Sequence, residues 1–155
     1  MSHVNLIAAD KELPLRDRQE FREHYSAELD AMGIEPPTIG FTYGFQVAPH
    51  QYYRDSVDCL DIEMKPFQYV LDFEACQTDL NHLLAYLREN FAPGEEVELW
   101  SLWVGLGGGK VHRYRGKLSE FDLDTLGMLY EIQCEPDLTG EFDDLFSQVC
   151  VTVEI

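Results

Sequence analysis

The chain has 155 residues, 45% of them hydrophobic, and a formal net charge of −18. Its length and apolar share predict one domain with a proper core and exclude a disordered polyelectrolyte. No stretch approaches the roughly 20 apolar residues of a membrane span, and Met1 to Asp10 lack the basic start and long apolar run of a secretion signal, so a cytoplasmic location is expected.

Val4 to Ala8 is a short apolar run that suits a strand, although five residues are too few for periodicity to settle. Asp17 and Glu20 have the spacing of a capping box, and Phe21, Tyr25, Leu29 and Met32 form one helical stripe, which predicts a helix over 18–32. Gly33 suits the left-handed position after that helix, and Pro36-Pro37 forbid its continuation. From Ile39 to Ala48 bulky apolar residues alternate with small or polar ones, which predicts a strand ended by Pro49. Residues 51–64 fit a short helix followed by an extended segment up to Pro66.

From Phe67 the pattern sharpens. Phe67, Tyr69, Leu71 and Phe73 mark a strand, and Val70 on its alternate face hints at burial on both sides. Thr78 is placed to cap a helix over 79–90, whose stripe is Leu80, Leu83, Leu84, Leu87 and Phe91. Pro93-Gly94 turns the chain into a strand over 97–104, with Glu98, Trp100, Leu102 and Val104 on one face. Gly107, Gly108 and Gly109 read as a hairpin loop leading to a return strand over 111–118. Ser119 and Asp122 open a helix with Leu123, Leu126, Leu129 and Tyr130 inward, and Val149, Val151 and Val153 mark a terminal strand. The order predicts an α+β, ferredoxin-like β-α-β-β-α-β sandwich over 67–155, with residues 1–64 as an N-terminal helix–strand addition in the same domain, 1–155.

The search for chemistry returns little. Gly105-x-Gly107-Gly108-Gly109-Lys110 lacks the hydroxyl residue and following helix of a phosphate loop. Cys59, Cys76, Cys134 and Cys150 are scattered and read as buried free thiols. The five histidines share no ligand spacing, and no nucleophile motif is present, so no catalytic residue, metal ligand or cofactor is assigned. Lys110, His112, Arg113, Arg115 and Lys117 crowd one strand, but the overall charge repels nucleic acid. These cations are expected on an exposed sheet face, pairing with Glu96 and Glu98 of the neighbouring strand and discouraging edge-to-edge association. Phe41, Tyr43, Phe45, Tyr52, Tyr53, Trp100 and Trp103 are expected in the core, with a partner surface as the alternative.

Charge carries the functional signal. Residues 1–64 sum to −7, residues 65–117 to −1, and residues 118–155 to −10, with no Lys, Arg or His after Lys117. Glu131, Glu135, Asp137, Glu141, Asp143 and Asp144 form the expected partner-binding face, whose field speeds encounter with a basic protein. In its base-free tail from Leu118 to Ile155, its size and its lack of catalytic motifs, the chain resembles the small acidic immunity proteins of bacterial toxin systems. The resemblance implies a cytoplasmic, non-enzymatic inhibitor that masks the basic cleft of a cognate toxin, such as a nuclease domain. A small-ligand or oligomeric regulatory module is the alternative.

Overall fold

The computed structural model describes residues 2–17, 31–33, 44–105, 109–130 and 147–155. Strands β1 (Ser2–Ala9), β2 (Gln46–Pro49), β3 (Phe67–Asp72), β4 (Glu96–Val104), β5 (Val111–Lys117) and β6 (Gln148–Glu154) form a six-stranded sheet. Helices α1 (Arg54–Asp58), α2 (Gln77–Asn90) and α3 (Leu123–Gly127) pack around it, with a 3-10 turn at Leu118–Glu120. The mixed α+β class stands. Among the described residues no helix is long and apolar enough to cross a membrane.

The spatial order is β2-β3-β1-β4-β6-β5, which is not that of a ferredoxin-like sandwich. β3 and β4 do form a split β-α-β unit, because both run antiparallel to one strand lying between them. That strand is β1, not the 111–117 segment expected there. The reason is burial. Leu6, Ile7, Ala8 and Ala9 are each 0% exposed, so β1 tolerates a covered sheet on both faces and a neighbour on both edges. β5, with Arg113, Arg115 and Lys117, is exposed almost throughout and lies at the rim. Ser2–Ala9 is therefore the middle of the sheet rather than part of an addition. The glycine-rich loop is likewise no hairpin. β4 and β5 are separated by β6, which pairs antiparallel with β4 and parallel with β5.

Two cores flank the sheet. Ile7, Leu71, Val97, Leu99, Val151 and Val153 meet Leu80, Leu83 and Leu87 of α2, Leu126 of α3 and Leu129 just after it. On the other face Val4, Leu6, Trp100, Leu102 and Cys150 meet Val57, with Tyr53, Leu60, Ile62 and Met64 packed around them. α1 and the extended segment after it thus close the second face, in the places expected for a short helix and its extension.

Local signals resolve in detail. α2 starts at Gln77 after Cys76, with no side-chain cap, so Thr78 lies inside the first turn. Asp79 does the related work, accepting the Glu74 amide at 2.7 Å. Asp122 caps α3, accepting the Thr125 amide at 2.9 Å, while Ser119 falls in the 3-10 turn. Gly33 has φ +72° and Gly94 φ +90°, the left-handed values that make glycine the ready choice. The expected helix over 18–32 falls outside the described residues except at its end, and so do Phe41 and Tyr43 of the strand expected over 39–48. Of the thiols, Cys150 is buried as expected, but Cys59 and Cys76 are exposed.

A test separates this order from a core confined to 67–155. The fragment 65–155 should lack a dispersed NMR spectrum and a cooperative urea transition, because it has no strand between β3 and β4. Within the full chain Leu6→Ala should cost about 2–5 kcal/mol, whereas Leu123→Ala, at a site 39% exposed, should cost far less. A fragment that folds cooperatively would refute the central role of β1.

Candidate functional site

Where β1, β3 and β4 meet at one end of the sheet, polar groups gather. A cleft of about 320 Å³ is lined by His3, Asn5, Tyr53, Asp72, Glu74 and Tyr130 among others. The sheet register explains the grouping, since β1 lies between β3 and β4 and its first residues reach the ends of both. Most of these groups are held by named bonds. Asn5 Nδ2 donates to the Leu129 carbonyl at 2.7 Å and the Trp100 carbonyl at 3.1 Å, tying the turn after α3 to the sheet. Tyr130 Oη donates to Glu74 Oε2 at 2.7 Å. His3 Nε2 lies 2.7 Å from Ser101 Oγ, and its ring packs on Trp103 with centroids 5.0 Å apart. Gln148 closes the same end, donating to the Trp103 carbonyl at 3.0 Å and accepting its amide at 2.7 Å.

A serine against a histidine invites a nucleophile–base reading. Ser101 is only 5% exposed and does not line this cleft. The pair instead satisfies two polar groups inside the sheet. No cluster of three potential metal ligands occurs among the described residues.

The cations of β5 are disposed differently from expectation. Arg115 does bind the Glu96 carboxylate, but it reaches across β6 to do so, because β4 is not its neighbour. This contact holds the Glu96 carboxyl below its ordinary range. Glu96 stands directly opposite Glu154, and Lys117 stands opposite Glu154 on the other side. Glu96, Glu154 and Lys117 thus lie in one row across three strands, and Arg115, two residues earlier on β5, bonds to Glu96. Arg113 meets no carboxylate among the described residues. Its Nη2 donates to the Glu63 carbonyl at 2.8 Å, and its guanidinium lies 4.8 Å from the centre of the buried Trp100 ring. Glu98 instead accepts the Trp100 indole N–H and the Lys65 amide, each at 3.0 Å.

Glu131, Glu135, Asp137, Glu141, Asp143 and Asp144, the expected partner-binding residues, all lie outside the described residues. Of the aromatic group, Phe45 and Trp100 are core, but Tyr52 is 87% exposed on the turn before α1. Tyr86 escaped the helical stripe. It is 2% exposed, donates to the Pro14 carbonyl at 2.6 Å, and burial pushes its phenol pKa up.

One buried titratable group had no sequence signature at all. His50, between β2 and α1, is 3% exposed, and neither ring nitrogen has a hydrogen-bond partner among the described residues. Burial and the Arg54 charge lower its pKa, opposed by Asp58. With the folded pKa below the ordinary 6.5, the unfolded chain binds the proton first. Stability is therefore unaffected by His50 well above pH 6.5 and falls as the pH drops below it. The urea midpoint compared between wild type and His50→Phe should show the variant losing less stability on acidification from pH 7.5 toward about pH 5.5. Parallel curves would show that His50 is not a buried neutral base.

Comparisons with protein-family models, curated proteins and solved structures find no match to this chain.

Proposed function

We propose that this chain is a non-enzymatic acidic binding protein, an immunity-type inhibitor that masks the basic active-site or nucleic-acid-binding surface of a cognate toxin. The carrying observation is the charge distribution: ten acids and no base over residues 118–155, in a molecule of net charge −18. The disposition of the bases supports it. Lys11 pairs with Glu95 at 2.9 Å, Lys65 with Asp10 and Arg115 with Glu96, so these cations are spent inside the molecule. The net charge that acts at a distance is negative. A field of that sign raises the encounter rate with a basic partner and repels nucleic acid.

The test is capture of partners at low and high salt, followed by association kinetics on the partner identified. A basic protein should be held more strongly at low salt. The double variant Asp143→Lys and Asp144→Lys should slow association about tenfold at low ionic strength and flatten its salt dependence. Capture of acidic proteins alone, or unchanged kinetics in the variant, would sink the proposal.

A second reading, a small-ligand module, draws on the cleft of about 320 Å³, a size within the range of ligand pockets, with two carboxylates and two phenols in its wall. A small polar cation suits that wall.

A further inference from the structure

We propose that the outer edge of β5 is a docking site for an extended peptide that alternates acidic and apolar side chains and adds a seventh strand to the sheet. This inference does not rest on the acidic-face proposal.

The two rims of the sheet differ. β2 is covered in part, because Arg16 and Val47 exchange backbone hydrogen bonds of 2.9 and 3.0 Å. Among the described residues β5 pairs only with β6, and none of them pairs with its outer edge. The Lys110 carbonyl accepts the Gln148 amide at 2.8 Å. In a parallel ladder this turns the N–H and C=O of Lys110, His112, Tyr114 and Gly116 toward β6. Those of Val111, Arg113 and Arg115 then point outward. β5 has no proline and is exposed along nearly its whole length, so it presents a straight run of donors and acceptors.

The two faces of that edge ask for different side chains. On one face stand Val111, Arg113, Arg115 and Lys117. Arg113 and Lys117 meet no carboxylate through their side chains in any ion pair formed by the described residues. An incoming strand with acids at this face supplies them. On the other face a cleft of about 220 Å³ opens beside Tyr114 and Gly116, floored by Phe121, Met128, Val151 and Val153. Gly116 contributes no side chain, and a Cβ built there meets nothing within 4 Å, so the space is real. An apolar side chain on the alternate face of the incoming strand fits it. Because side chains alternate, one acidic–apolar peptide meets both requirements at once. A second copy of β5 does not, since its cations would oppose these cations.

The probe is a seven-residue peptide alternating glutamate with valine, titrated at physiological salt into the ¹⁵N-labelled full chain, with a lysine–valine peptide as control. The amides of Val111, Arg113 and Arg115 should shift and exchange with solvent more slowly, and the lysine peptide should leave them unmoved. Gly116→Val puts a side chain into the cleft, its Cβ meeting nothing within 4 Å, and should weaken binding about tenfold. Arg113→Pro removes an outward N–H while sparing the bonds to β6, and should weaken it as much or more. Four results would each overturn the proposal: no shift at millimolar peptide, equal binding of the lysine peptide, shifts confined to another surface, or a dimer joined through β5.

Discussion

The structure depends on one strand being buried on every side. β1 pairs with β3 through Leu6↔Val70 and with β4 through Leu6↔Trp100, and its side chains enter both cores. Without it the sheet separates into a β2-β3 pair and a β4-β6-β5 trio. Alternate residues divide the work. Ile7 and Ala9 enter the core under α2 and α3, and Leu6 and Ala8 enter the core under α1. The small Ala8 and Ala9 lie at the end where β1 approaches Phe67 and Gln68. The cost is kinetic. The central pairings join residues separated by 58 or more positions in the chain, so loop-closure entropy is met before the sheet yields much in return.

Electrostatics follow from the strand order. A chain with 29 acids and 11 bases repels itself when compact. The sheet offsets part of that repulsion by spending cations where acids are forced together. Glu96 and Glu154 face each other across β4 and β6, and Arg115 and Lys117 on β5 are the nearest strand positions from which to balance them. Placing β5 at the rim also leaves its charged side chains in water, which is where an edge strand resists uncontrolled pairing. Arg113 adds a further function on the same strand. Its guanidinium covers the face of Trp100, so the rim screens the second core from solvent.

Local structure was legible in the sequence because it is written in short periods. The stripe of Leu80, Leu83 and Leu87 gave α2, alternation around Leu71 gave β3, and Asp122 marked the start of α3. The strand order was not legible, because pairing is decided by which strands tolerate a second neighbour and a second covered face. The clue lay in Val4 to Ala9, where apolar residues continue with little alternation, as in a strand buried on both faces. Five residues of ambiguous period masked it. The cleft was invisible for a different reason. His3, Asp72, Glu74 and Tyr130 are brought together by tertiary structure across 127 positions. The acidic residues expected to bind a partner, by contrast, were read from composition alone, and no periodic or geometric signal bears on them.

Topology and charge converge on the chain between β5 and β6. These strands are parallel neighbours, so the chain must travel back along the sheet from Lys117 to reach Gln148. Such a crossover requires about a dozen residues. This one has 30, residues 118–147, and carries nine acids with no base. The length exceeds what connectivity demands, and α3 with its 3-10 turn accounts for only the first part of it. Connection alone sets no requirement for charge of one sign, whereas electrostatic steering of a basic partner does. The surplus length and the surplus charge therefore coincide in one segment, anchored at both ends to the sheet, which is where the proposed inhibitor function would place its binding face.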